Sequence, residues 1–165
     1  MSAPSLQPQS VSIDRETPFD RAAVDAIVDA AFGPGRFAKT AERLREGAEP
    51  LADCTFVARE AGKVVGSVRL WPVVVGETPV AFLGPIAVEG GRRREGLGAQ
   101  LVERACAAAE ALGLPGVLLV GDTPYFGRFG FVKADVRLPG PVDPRRVLLK
   151  MFGGRELLSG DVRRG

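Results

Sequence analysis

One stretch of this 165-residue chain limits its fold more than any other. An apolar run over residues 80–88 ends in a glycine- and arginine-rich loop, 89–96, and the chain re-emerges as a strongly helical segment, 97–112. A short, continuous apolar run is what a strand buried on both faces requires. Leu97, Leu101, Ala105, Ala108 or Ala109, and Leu112 fall on one stripe at helical spacing, and Gly113 and Pro115 stop the helix. Residues 117–120 then read as another buried strand. Strand, helix, strand in that order is a crossover between parallel strands.

Ahead of this unit the signals are different. Residues 11–13 read as a short strand. Asp20 stands where it can cap a helix running to Ala31, with Ala23, Ile27, Ala30 and Ala31 as its apolar stripe. Phe32-Gly33-Pro34-Gly35 ends that helix, and a second is expected over 39–46. Residues 55–59 and 63–75 flank Glu60-Ala61-Gly62, a hairpin signal, and Pro72 marks a bend or an edge in the second strand. Beyond the crossover come a helical turn at 124–128, a strand opened by Gly130-Phe131, a proline-rich loop at 139–144 and a last strand at 147–152. The order β-α-α-β-β-β-α-β-α-β-β predicts an α/β (α+β) fold: a central, twisted, mixed sheet of about 6–7 strands, not a doubly wound one. Residues 1–8 read as a flexible leader, 9–155 as one domain and 156–165 as a tail.

Composition removes whole classes of chemistry. The sequence holds no histidine, so no Ser-His-Asp triad, Cys-His dyad, HExxH zinc site or imidazole base is available. Cys54 and Cys106 cannot build a multi-cysteine zinc site, and no metal is expected; they form either one disulfide or two buried thiols, the latter suiting a reducing cytoplasm. With 22 basic and 20 acidic residues the net charge is only +2, without the basic excess of a nucleic-acid binder. No apolar stretch approaches the ~20 residues of a membrane span, and residues 1–10 lack the pattern of a signal peptide. The expected location is the cytoplasm.

The loop carries the chemistry. Gly96 and Gly98 permit close backbone approach just where the helix begins, and free N–H groups there, with the helix dipole, make an anion site. Two readings stand at this level: a phosphate cradle, or glycines that let the helix pack tightly on the sheet. A Walker loop is ruled out, because no Lys-Ser or Lys-Thr follows the glycines. A dinucleotide-binding loop is ruled out too, because Leu101 stands where its third glycine belongs.

The pattern Arg93-x-x-Gly96-x-Gly98, following the strand Gly84-Pro85-Ile86-Ala87-Val88, resembles the acetyl-CoA loop of the GNAT N-acetyltransferases. The segment Tyr125-Phe126-Gly127-Arg128-Phe129-Gly130-Phe131 resembles their second cofactor element, in the subgroup ending Tyr-aromatic-x-Arg-Phe-Gly-Phe. The resemblance spans nearly the whole chain. It implies helices on both faces of the sheet and a splayed pair of parallel strands, 80–88 and 117–120. It also implies that the pantetheine arm of acetyl-CoA pairs with the backbone of Ile86, Ala87 and Val88. The pyrophosphate would meet amides of Arg93, Arg94, Glu95, Gly96, Leu97, Gly98 and Ala99, and Arg92 or Arg94 would either reach the 3′-phosphate or stay solvated.

The activity so implied is direct transfer of acetyl to a primary amine, on a small molecule or on a peptide or protein, by a monomer or homodimer. The alternative is a catalytically weak module that binds or senses acyl-CoA. Many members place a proton-donating tyrosine four residues before the glycine of the Gly-Phe pair. Here that register holds Phe126, and Tyr125, the sole tyrosine, lies one residue earlier. Tyr125 is therefore either the acid, beside the cofactor, or a packing residue. Glu60, Glu77 and Asp122 are open as bases, as is a water chain. Acceptor recognition is expected from residues 32–37, from Trp71-Pro72 and from the loop 139–144, with Arg36 able to attract an acidic acceptor.

Overall fold

Ala61 and Gly62 both lie at positive φ, 52° and 79°. That is the geometry of a tight turn whose twist matches the strands it joins. It closes the expected hairpin between β2 (Phe56–Glu60) and β3 (Lys63–Val75) in a computed structural model that describes residues 11–33, 40–90 and 96–165. The leader at 1–8, Arg36, and the loop residues Arg92, Arg93, Arg94 and Glu95 lie outside the described residues.

β1 (Val11–Arg15) pairs antiparallel with β2, and β4 (Thr78–Val88) runs antiparallel along β3. β5 (Gly116–Val120) joins β4 in parallel, as the crossover requires, and pairs antiparallel with β8 (Val147–Met151) on its other side. With β6 (Val132–Lys133) at the end, the order is β1-β2-β3-β4-β5-β8-β6, the mixed sheet that the sequence predicts.

Two further strands exceed the expected count. β7 (Val136–Arg137) pairs with β9 (Gly160–Arg164), and β9 pairs antiparallel with Val73–Val75 of β3. The segment expected as a tail is thus partly sheet. β3 is long enough to serve β2 with its first half and β9 with its second, and Val162 is buried by the pairing. The charged residues around Val162 hide this strand from a hydropathy reading.

α1 (Arg21–Phe32) and α3 (Leu97–Ala111) cover opposite faces. α3 buries Leu97, Leu101, Val102, Ala105, Cys106 and Ala109 against Phe56, Val65, Val68 and Leu83, while Leu112 stays exposed beyond its end. α1 buries Val24 and Val28 rather than Ala23 and Ala30, because the larger side chains return more on burial. α2 (Thr40–Arg43) is a single turn, shorter than expected. Among the described residues, no helix is long and apolar enough to cross a membrane.

Asp20 stands at the start of α1, but its side chain does not cap that helix. It accepts instead from the backbone N–H and hydroxyl of Thr17, at 2.8 and 3.1 Å, and from both terminal nitrogens of Arg59, at 2.7 and 2.8 Å. On β3, Arg69 grips Glu16 through Nε and Nη2 (3.0 and 2.9 Å) and reaches Asp25 of α1 at 3.2 Å. These paired forks fix the start of α1 to the sheet.

Candidate functional site

The parallel pairing of β4 and β5 consists of two rungs, Ala81 with Val117 and Phe82 with Leu118. Past them β4 runs on to Val88, with β3 paired along one edge and, among the described residues, no strand along the other. Backbone polar groups without a strand partner need another. Gly84 and Pro85 form a bulge, since Leu83 pairs with Leu70 and Ile86 with Val68, leaving both opposite Arg69. The indole N–H of Trp71 donates to the Gly84 carbonyl oxygen and so pins this bulge. Trp71 is buried, lines neither cavity described below, and supports the site from behind.

A cavity of about 520 Å³ opens where β4 meets the start of α3. Its walls include Ile86, Ala87 and Val88 from the strand, Gly96, Gly98 and Ala99 from the helix start, and Tyr125 with Arg128 opposite. Leu97, named beside them from the sequence for its backbone amide, buries its side chain in the core. Gly96 takes a left-handed conformation, φ 71°, at the N-cap of α3, and a β-carbon there would meet nothing within 4 Å. Among the described residues, nothing therefore covers the backbone of Gly96 where it faces the cavity. Gly98 differs: a β-carbon there would stand 2.9 Å from the hydroxyl oxygen of Tyr125.

Tyr125 belongs to α4 (Thr123–Phe126), directly after β5. Its ring meets Phe126 and Phe129 edge-on, with centroids 4.9 and 5.5 Å apart, and the Arg128 guanidinium lies 4.9 Å from its centroid. Burial pushes its phenol above the ordinary value of 10, opposed by the charge of Arg128. A phenol so placed is protonated at neutral pH and able to donate. Arg128 was missed as a wall residue, although it stands within the aromatic motif that led to Tyr125.

A second cavity, about 720 Å³, lies on the other side of Tyr125. It shares Phe32, Ile86 and Tyr125 with the first and adds Pro85, Val120, Asp122, Val142, Asp143 and Arg146. The proline-rich loop is thus on its wall, through Pro141, Val142 and Asp143. Of the three candidate carboxylates only Asp122 is there; Glu60 and Glu77 lie on neither wall. Cys54 and Cys106 are free and buried, and burial raises both thiols, that of Cys106 to about 11.

A profile of the acetyltransferase (GNAT) family matches residues 21–131, the span from α1 through the aromatic motif. The N-acetyltransferase YhbS of Escherichia coli strain K12, an uncharacterised enzyme, is 32% identical over 119 residues, covering 70% of each chain. The crystal structure of E. coli YhbS in complex with CoA superposes with a TM-score of 0.80 at 26% identity, over 96% of this chain and 92% of that one. A GNAT acetyltransferase from Brucella melitensis, in complex with acetyl-CoA, gives 0.74 at 26% identity over 95% and 97%. Profile, relatives, sheet order and the parallel pair β4–β5 agree, and the chain belongs to the GNAT family of acetyltransferases.

Proposed function

We propose that this protein binds acetyl-CoA in the 520 Å³ cavity and transfers its acetyl group directly to a primary amine entering through the 720 Å³ cavity. The observation that carries this reading is the meeting of the two cavities at Tyr125 and Ile86. The walls suit the cofactor: a strand edge at Ile86, Ala87 and Val88 that no strand covers among the described residues, for an amide-bearing arm, and the helix start at Gly96, Gly98 and Ala99, open at Gly96, for a pyrophosphate. The solved complexes of the Brucella and E. coli relatives with acetyl-CoA and CoA support it.

Acetyl-CoA supplies an activated thioester carbonyl. Bringing an alkylamine to its neutral form at pH 7 costs about 4–5 kcal/mol, so a group on the acceptor side must draw that proton off. On the cofactor side Tyr125 holds a protonated hydroxyl at the junction of the cavities and donates its proton to the departing sulfur. Phe126, one residue on, is buried in the core and cannot share that place.

Incubation with acetyl-CoA and a mixed amine panel tests the reading. Release of CoA matched by acetylated amine is expected. Tight binding of acetyl-CoA with no acetylated product would mark a sensing module, and no binding would remove the proposal altogether.

A further inference from the structure

The charges on the wall of the larger cavity are not equivalent. Arg45 is held by Glu42 at 2.9 Å and lies 5.2 Å from the Phe82 ring centroid. Asp143 accepts from the backbone N–H, Nε and Nη2 of Arg145, at 3.0, 3.1 and 3.0 Å. Both are committed within the protein. Asp122 and Arg146 differ: among the described residues neither has an oppositely charged side chain within ion-pair distance, and they do not pair with each other. Arg146 donates from Nε to the Gly121 carbonyl oxygen at 3.5 Å and lies on the cavity wall, near enough to Asp143 for its charge to help lower that carboxyl without an ion pair between them.

Backbone pairing holds these two charges in one place. The N–H of Gly121 donates to the carbonyl of Arg146 at 2.8 Å, so Arg146 stands beside the residue preceding Asp122. The carbonyl of Asp122 in turn accepts from Phe126, which sets Asp122 and Tyr125 on the same turn. The remaining wall is largely apolar, with Pro85, Ile86, Leu119, Val120 and Val142. The cavity therefore offers one anion and one cation that stand outside any ion pair among the described residues, with an apolar surface, all next to Tyr125. Its size is that of a small-molecule site.

We propose, resting on the acetyltransferase reading above, that the acceptor is a free amino acid with an apolar side chain. Arg146 takes its carboxylate, Asp122 attracts its ammonium, and the apolar wall receives the side chain. The ammonium loses one proton to solvent beside Asp122 before attack. The carbon–nitrogen bond then forms as the carbon–sulfur bond breaks, the sulfur gains the Tyr125 proton, and the second proton leaving the nitrogen returns the Tyr125 phenolate to its hydroxyl. One acetylated amino acid, one CoA thiol and one solvent proton result.

The test compares leucine with leucinamide, isoamylamine, putrescine and a lysine-bearing peptide as acceptors, at saturating acetyl-CoA. Leucine should exceed leucinamide and isoamylamine in kcat/KM by about tenfold or more, because a charge-assisted pair is lost with the carboxylate. In Arg146→Ala that preference should collapse toward unity, and Arg146→Lys should restore part of it. Calorimetry of leucine onto the CoA-bound protein should show the same loss in Arg146→Ala without relying on turnover. Equal use of acid and amide, a preference for putrescine or the peptide, an unchanged ratio in Arg146→Ala, or bound acetyl-CoA with no acetylated leucine would each overturn the proposal. Failure to bind acetyl-CoA at all would instead overturn the acetyltransferase reading beneath it.

Discussion

The hydroxyl of Tyr125 fills the space that a side chain at Gly98 would need, since a β-carbon built there stands 2.9 Å from the phenolic oxygen. The second glycine of the loop thus makes room for the proposed acid in this structure. In Gly98→Ala the phenol must shift, and its ring cannot follow freely while packed against Phe126 and Phe129. Turnover is expected to fall by about tenfold with a smaller change in acetyl-CoA affinity, the mark of a displaced proton donor. Steady-state kinetics beside calorimetry separate the two. A loss confined to cofactor affinity would mean that Gly98 serves phosphate approach instead.

Tyr125→Phe removes the proton and keeps the ring. A drop in kcat of about a hundredfold is expected, with little effect on CoA affinity. Because burial raises this phenol above 10, the wild-type rate should hold through neutral pH and decline only above that value. The variant should lack that alkaline limb. Equal turnover in both proteins would leave Tyr125 a packing residue.

At Gly96 the constraint is the backbone. Its φ of 71° costs a residue with a β-carbon about 1 kcal/mol, yet the space beside it is open. Gly96→Glu adds a negative charge at the helix start proposed for the pyrophosphate, so CoA affinity should fall at least tenfold, or ~1.4 kcal/mol. Gly96→Ala should lose less. Titration calorimetry distinguishes them, and wild-type affinity in Gly96→Glu would move the pyrophosphate elsewhere.

The Asp20–Arg59 fork gives stability a pH signature. Hydrogen bonding to Arg59 lowers the Asp20 carboxyl from 3.8 to about 2. A depressed carboxyl stabilises the fold above its unfolded value and loses that contribution as pH falls through the folded one. The contribution is roughly 2 kcal/mol. Asp20→Asn should therefore lower the urea midpoint at neutral pH, with the gap to wild type narrowing from about pH 4 to pH 2. A gap that stays constant over that interval would assign the loss to geometry rather than to charge.

Much of this was legible because single elements carry strong signals. The apolar run ending at Val88 and the stripe from Leu97 to Ala109 name a buried strand and its crossover helix from hydropathy alone. The strand β9 was not legible, since Val162 sits among charged residues and its partner β3 is distant in sequence. The site divides in the same way. Ile86, Ala87, Val88, Gly96, Gly98 and Tyr125 announce themselves by motif, whereas Arg146 reaches the cavity only through the pairing of β5 with β8. Trp71 likewise reveals its hold on Gly84 only once the bulge between β3 and β4 is in place.

A crystal structure of the protein with acetyl-CoA tests the central claim most directly. The expected result is the pantetheine arm along the open edge of Ile86, Ala87 and Val88, the pyrophosphate against the backbone of Gly96 to Ala99, and the thioester beside the Tyr125 hydroxyl. A cofactor seated away from that edge, or a thioester remote from Tyr125, would contradict it.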